Sequence, residues 1–260
     1  MTINKFTVAA QQFLARRVPG TKAYSLDDAI KPTTIEEALM VQQEIIKLRS
    51  DSVSGWKCLL PLAEDKIIIA PIFGETIQQG EQCSLMKDNG KVRIEPEIAF
   101  VLSKDLPACD GDYSEAEIDD AIGSCHMALE LIQSRFADDC DAFFPERLAD
   151  CLVNQGVFIG PEIDREKAFS ASHIKLAITQ TEKGGEVSEQ HFDGVHPNPL
   201  PQLPVYWAIN FMTKRGTSFK KGEALITGSY AGVVEVDFNK NIHINYAKMG
   251  SYDVIFKELT

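Results

Sequence analysis

The chain has 260 residues, 44% of them hydrophobic and 25% charged, the make-up of an ordinary globular protein with one large domain or a small one beside a medium one. Its 38 acidic against 26 basic residues leave a formal net charge of −12; this argues against nucleic acid or an anionic membrane as the main partner, and any anionic substrate must be drawn in by a local cation or a metal. The six cysteines include no CxxC pair and no apolar stretch approaches the length of a membrane span, so the expectation is a cytoplasmic protein with reduced thiols.

Phe6, Ala9, Ala10, Phe13 and Leu14 recur at helical spacing over residues 4–18, and Pro19-Gly20 ends that segment. With Lys5, Arg16 and Arg17 and no long apolar stretch between them, it reads as an amphipathic helix and not as a signal peptide. Thr34-Ile35-Glu36-Glu37 has the pattern of a capping box opening a second helix that runs to about Arg49. Residues 1–52 therefore read as a helical N-terminal region, and residues 53–260 as a β-rich domain. Within the latter, β-type runs stand at Ile67–Ala70, Arg93–Leu102, His173–Thr181, Val187–Phe192, Ala224–Thr227, Val233–Phe238, Asn241–Tyr246 and Val254–Phe256. Turns such as Lys183-Gly184-Gly185 and Asn239-Lys240-Asn241 separate several of them. Ser114 opens a third helix, read through Ile118, Ala121, Ile122 and Cys125 with His126 late in it, and Pro204 starts another that Gly216 closes. Strands and helices do not alternate regularly, so the expected class is α+β, an antiparallel-rich β-sandwich or roll, and not a doubly wound parallel sheet.

The chemistry-bearing residues sit in the apolar runs. Glu95 and Glu97 lie two apart in Arg93–Leu102, and side chains two apart on a strand point the same way. Ile94, Pro96, Ile98, Phe100 and Leu102 fill the other face, the pattern of a half-buried strand, and Pro96 suits an edge or a bulge. Spacing alone fits a solvated face of glutamates as well as a metal site. Glu130, within Ala128-Leu129-Glu130-Leu131-Ile132, leaves less room for solvation. Buried carboxylates need a cation, and with oxygen ligands only, Mg²⁺ or Mn²⁺ fits better than Zn²⁺. Lys57, in Gly55-Trp56-Lys57-Cys58, reads either as a lysine snorkelling to solvent or, beside a metal, as a general acid or stabiliser of an oxyanion whose pKa falls on burial. Ala224–Ser229 ends a strong β run in small residues around Gly228, a simple turn or a place where backbone approaches a ligand. His126, His191 and His196 read as packing or loop residues with chemistry as the alternative.

In order, Gly55-Trp56-Lys57, Pro71-Ile72-Phe73-Gly74, Arg93–Ala99, Ala128-Leu129-Glu130 with Ser134-Arg135, Gly156-Val157-Phe158 and Gly222–Ser229 resemble the hydratase/decarboxylase branch of the fumarylacetoacetate hydrolase superfamily. The resemblance covers most of residues 53–230, and the branch also carries a helical N-terminus. It implies Mg²⁺ or Mn²⁺ on Glu95, Glu97 and Glu130, a 2-oxo acid chelated through its carboxylate and 2-oxo oxygen, Lys57 as the catalytic residue, and substrate contacts from Lys57, Thr227 and Ser229. The implied activity is a metal-dependent carbon lyase on 2-oxoalkenoates, 2-oxopent-4-enoate hydratase-like, in the degradation of aromatic compounds; the alternatives are a 4-oxalocrotonate decarboxylase-like enzyme and, for want of a His–Glu pair, less readily an acylpyruvate hydrolase. A homo-oligomer is implied as well. A non-catalytic assembly partner is disfavoured by the presence of Lys57 and all three glutamates. Two positions depart from the pattern. Ile72 stands where the hydratases carry an aspartate, which points toward decarboxylation, since hydration profits from an extra acid–base group. Asn154-Gln155 stands where relatives carry small residues, which would narrow the pocket or change its polarity.

Overall fold

The computed structural model describes residues 4–182 and 184–259. Helix α1 (Lys5–Ala15) is capped by the Asn4 side chain on the Phe6 N–H, and α2 (Ile35–Leu48) by Thr34 on the Glu37 N–H. The Glu37 carboxylate takes the Thr33 N–H and Lys5. The buried faces of the two helices, Ala9, Ala10 and Phe13 with Ala38, Leu39, Val41 and Ile45, are continuous with the main core. Gln42 ties α2 to the sheet by donating to the Ile69 carbonyl, and to a later helix by donating to the Leu148 carbonyl.

The remaining elements are β1 (Val53–Ala63), β2 (Lys66–Phe73), a 3₁₀ turn (Gly74–Thr76), β3 (Ile77–Gln78), β4 (Gln82–Leu85), β5 (Val92–Leu102), α3 (Glu115–Ala121), β6 (Ile122–Ile132), α4 (Phe144–Ala149) and β7 (Asn154–Ile163). They continue with α5 (Arg165–Phe169), β8 (His173–Thr181), β9 (Val187–Val195), α6 (Leu203–Thr213), β10 (Ala224–Ile226), β11 (Val234–Val236), β12 (Asn241–Tyr246) and β13 (Gly250–Glu258). The larger sheet runs β2-β1-β10-β5-β6-β7-β3, with β11 also paired to β5; the smaller runs β4-β13-β12-β8-β9.

The class is α+β, and most strand neighbours are antiparallel. The sheets are nonetheless mixed, because β1–β10, β3–β7 and β13–β4 pair parallel. Nor does the large sheet lie flat in a sandwich. Its two end strands, β2 and β3, are joined only by the turn Gly74–Thr76. So short a link forces the sheet to curl until its ends meet, and β2 touches β7. Gly156 permits the closure: its φ is +154° and a Cβ there would lie 2.3 Å from the Thr76 carbonyl oxygen. Ile72, Ala99, Ala128, Val157 and Ile226, all fully buried, form a separate apolar plug inside the curl.

Pro96 lies in the middle of the sheet and not on an edge. The Tyr230 N–H donates to the Pro96 carbonyl at 3.0 Å, and a residue's N–H and C=O point to the same side of a strand. The missing proline N–H therefore faces the gap between β10 and β11, where no partner strand needs it. The helix opened by Ser114 has the full capping box but ends at Ala121. His126 is a strand residue of β6, not a helical one. Gly123 marks the switch, since its Cβ position lies 2.6 Å from the Ser103 Cβ. Of the turn at Lys183-Gly184-Gly185, Lys183 lies outside the described residues, while Gly184 and Gly185 have positive φ. Gly216, at φ +85°, follows α6 as the sequence pattern requires.

Candidate active site

The antiparallel register of β5 and β6 sets Glu95 directly opposite Glu130, with Glu97 one step further on the same face. Glu97 and Glu130 are buried and Glu95 is half-buried, and one oxygen from each lies within 4.8 Å of the others. β1 reaches this face across β10, and the Lys57 Nζ donates to Glu130 Oε1 at 2.6 Å. The groups border a cavity of about 220 Å³ whose walls include Leu59, Ile68, Leu152, Ile226, Gly228 and Ser229. A larger cavity, about 390 Å³, borders Arg17, Arg49 and Arg135 together with Leu131. Leu131 neighbours Glu130 on the strand and so faces the opposite side of the sheet.

Each carboxylate is held differently. Glu97 Oε2 accepts from the Gly228 N–H at 2.6 Å. That contact needs glycine: φ is +118°, and a Cβ would sit 2.6 Å from Pro197 Cγ and 2.7 Å from Leu59 Cδ2. Glu130 Oε1 accepts from both Lys57 and the Asn154 Nδ2, the latter at 2.9 Å, while Oε2 is buried without a partner. Burial, then the charge of Glu130, pushes Glu95 up to about 7. Burial, then Glu130 and Glu95, pushes Glu97 well above the carboxylate range. For Lys57, burial works downward but the carboxylates of Glu130, Glu95 and Glu97 outweigh it, so its pKa is raised and not lowered as burial alone would have it.

These features fit a hard divalent cation. Ionising all three carboxylates against one ammonium would leave two uncompensated negative charges in a buried space, the donors are all oxygen, and one buried oxygen has no other partner among the described residues. A pH dependence follows. Glu95 is protonated below about 7 in the metal-free protein, so a cation must displace protons there. Binding of Mg²⁺ should release protons at pH 6 and release fewer at pH 8, measurable by calorimetry in two buffers of different ionisation enthalpy. The folded-state shift carries the same sign. The penalty that ionising Glu95 places on the metal-free fold is absent below the ordinary value of 4.5, grows as pH rises and is complete above about 7; a bound cation offsets it.

A sharp bend of the backbone borders the cavity. Cys151, Leu152 and Val153 have φ of +61°, +52° and +60°, three consecutive left-handed residues without a glycine. Each costs on the order of 1–3 kcal/mol, so the surroundings must impose the shape. Leu152 faces the cavity, and its carbonyl lies 3.4 Å from the Lys57 Nζ.

The other sequence candidates are placed as follows. Ser229 borders the cavity, its hydroxyl donating to the Gly232 carbonyl at 3.0 Å. Thr227 does not border it: it is fully buried, with Oγ1 3.5 Å from His196 Nε2. His196 is itself buried; the Asn198 N–H donates to its Nδ1, and burial lowers its pKa, which keeps it neutral. His126 bridges the Ser124 hydroxyl and the Gly160 carbonyl, and His191 is exposed beside Glu189. Ile72 belongs to the plug and not to the cavity wall. Gln155 turns away, bonded to both backbone groups of Met86 and to the Ile132 carbonyl. Sequence reading missed Leu152 and the direct contact of Asn154 with Glu130; its only signal for the latter was that Asn154 interrupts a run of expected small residues.

No family model matches the chain. It is 26% identical over 254 residues, 90% of this chain and 91% of the relative, to the 2-oxo-hept-4-ene-1,7-dioate hydratase of Escherichia coli. It is 26% identical over 247 residues, 90% of each chain, to the 2-hydroxyhexa-2,4-dienoate hydratase of Comamonas testosteroni. Among solved structures, the 4-oxalocrotonate decarboxylase from Pseudomonas putida G7, complexed with magnesium and adipate, superposes with a TM-score of 0.73 at 20% identity, covering 98% of this chain and 99% of that one. The chain resembles the hydratase/decarboxylase branch of the fumarylacetoacetate hydrolase superfamily. At this identity the structural likeness speaks for the fold, and the geometry above speaks for the site. No helix among the described residues is long and apolar enough to cross a membrane.

Proposed function

We propose that the protein is a divalent-metal-dependent carbon lyase acting on a 2-oxoalkenoate, 2-oxopent-4-enoate hydratase-like. The observation that carries this is the meeting of Glu95, Glu97 and Glu130 within 4.8 Å, with Lys57 on the remaining side of Glu130. The three carboxylates would hold Mg²⁺ or Mn²⁺. The bound cation supplies an electron sink and a chelation point for the carboxylate and 2-oxo oxygen of the substrate. Lys57 is then the one protonated group at the reacting end, and its ammonium holds or delivers the proton that the dienolate gains. Leu152 and Ile226 present apolar surface to the hydrocarbon part of the substrate, and Ser229 offers a hydroxyl beside Gly228. Thr227 enters this reading only indirectly, through the strand end it anchors at His196. The same reading makes the protein a cytoplasmic homo-oligomer, which sizing in solution checks.

Decarboxylation is the second reading, and the plug favours it. Ile72 places no acid–base group near the cavity, and the raised pKa of Lys57 suits it as an acid and not as a base, so a hydratase must draw its water-activating group from elsewhere. Product analysis by NMR separates the two. With Mg²⁺ present, water addition to 2-oxopent-4-enoate is the expected result. Release of CO₂ from a 2-oxohexenedioate without hydration of the shorter acid would assign the decarboxylase. Turnover of neither would remove the lyase assignment.

A further inference from the structure

The Lys57–Glu130 pair has a third member that the proposed chemistry does not use. Asn154 is buried, and its Nδ2 donates to Glu130 Oε1 at 2.9 Å and to the Gly156 carbonyl at 3.2 Å. Both neighbours are acceptors, which fixes the orientation of the amide. Two donors, Lys57 and Asn154, thus converge on one oxygen of Glu130, and the other oxygen is buried with no donor among the described residues.

The backbone that delivers Asn154 is itself clamped. It follows directly on the left-handed residues 151–153, and the carbonyls on either side of that turn are gripped by one buried side chain. Arg135 donates through Nη2 to the Asp150 carbonyl at 2.7 Å and through Nη1 to the Asn154 carbonyl at 2.9 Å, while its Nε meets Asp150 Oδ2 at 2.7 Å. Arg17 repeats the grip more loosely, at 3.3 Å and 3.5 Å to the same two carbonyls. Inside the turn, Leu152 N–H donates to the Arg147 carbonyl and Gln133 N–H to the Val153 carbonyl, each at 2.8 Å. A turn tied at both ends and in the middle has little freedom to move its first strand residue.

We propose that Asn154 is a positioning residue of the cation site: with Lys57 it pins Glu130 Oε1, so that Oε2 alone faces Glu95 and Glu97 as a ligand. This rests on the reading of the three glutamates as a cation site. A carboxylate free to rotate would exchange its two oxygens between Lys57 and the cation, and each exchange would break the ligand set. Holding one oxygen by two donors removes that freedom before any cation arrives. Lys57 is fixed by the same arrangement, because the oxygen it bonds cannot swing away.

The test is Mn²⁺ affinity of the purified full chain, read by the loss of the free-ion electron paramagnetic resonance signal, without substrate. Asn154→Leu keeps the size of the side chain and removes the donor; it should weaken Mn²⁺ binding about 10- to 100-fold, the range found when groups that orient metal ligands are removed. Gln155→Ala is the control. Its amide ties the same strand to Met86 and Ile132 without touching a carboxylate, so it should lower the melting temperature and leave Mn²⁺ affinity within about twofold, as groups outside the ligand network do. If Asn154→Leu loses its folding transition, Asn154→Ala is held to the same criterion. Binding by the Asn154 variant within twofold of the parent would overturn the positioning role while leaving the cation site standing. Parent protein that takes up no Mn²⁺ would overturn the cation site and the positioning role together.

Discussion

Lys57→Met is expected to lower kcat by about 10²- to 10⁴-fold, the usual worth of a positioned proton donor. Methionine matches the length of the lysine stem, so packing along β1 survives. The ammonium also opposes a cation electrostatically, since it shares Glu130 with it. Its removal lifts that repulsion but also takes away one of the two donors that hold Glu130 Oε1, effects of opposite sign, so Mg²⁺ affinity should change little, and the loss should appear in kcat and in kcat/KM alike. Steady-state kinetics at saturating Mg²⁺, with calorimetric Mg²⁺ binding alongside, makes the check. A variant that keeps more than about a tenth of the parent kcat would show that Lys57 is a counter-ion for the glutamates and does not act on the substrate.

The second large effect is on stability. Arg135 and Asp150 are a fully buried pair, Nε to Oδ2 at 2.7 Å, with the guanidinium also holding both ends of the left-handed turn. Arg135→Met leaves the Asp150 charge with Arg17 at 3.8 Å as its remaining ion-pair contact. Breaking a buried pair from one side costs about 3–5 kcal/mol. For a chain of this size that is a fall in melting temperature of roughly 6–20 °C. Replacing both partners, Arg135→Met with Asp150→Leu, should recover part of the loss, because no unpaired charge then remains. Thermal unfolding of the single and double variants measures this. A single variant as stable as the parent would mean that the turn is held by its own hydrogen bonds, and that Arg135 is dispensable to it.

The shared face of Glu95 and Glu97 was legible in the sequence because a strand repeats every two residues. Glu95 and Glu97 had to share a face, and Ile94, Ile98 and Phe100 had to occupy the other. Register was not legible. That Glu95 pairs with Glu130 depends on how β5 and β6 align, and the Ser114 capping box, followed by Ile118, Ala121, Ile122 and Cys125, hid the start of β6 inside a helical pattern. Gly123 was the available warning. The curl of the large sheet was equally hidden, because it follows from which strands end up at the two edges, and no local pattern states that. At the end of β10 the apolar run and the glycine marked the segment as important, yet it is the Gly228 N–H that meets a carboxylate, while Thr227 turns inward to His196. Small polar residues one position apart on a bending strand point to opposite sides, and the sequence does not say where the bend lies. Ile72 was read as a missing acid in the pocket. Its place in the plug beside Ala99, Ala128 and Val157 makes it a packing residue first, because burying an unpaired carboxylate there would cost several kcal/mol.

Whether Glu95, Glu97 and Glu130 hold one divalent cation decides the proposed function. The direct measurement is diffraction from crystals grown with Mn²⁺, recorded where manganese scatters anomalously. A single strong anomalous peak is expected, bonded to one oxygen of each of the three glutamates at about the 2.0–2.6 Å typical of hard divalent cations and oxygen, with Lys57 still on Glu130 Oε1. No peak at the three glutamates at millimolar Mn²⁺, or a peak held by other residues, would contradict it.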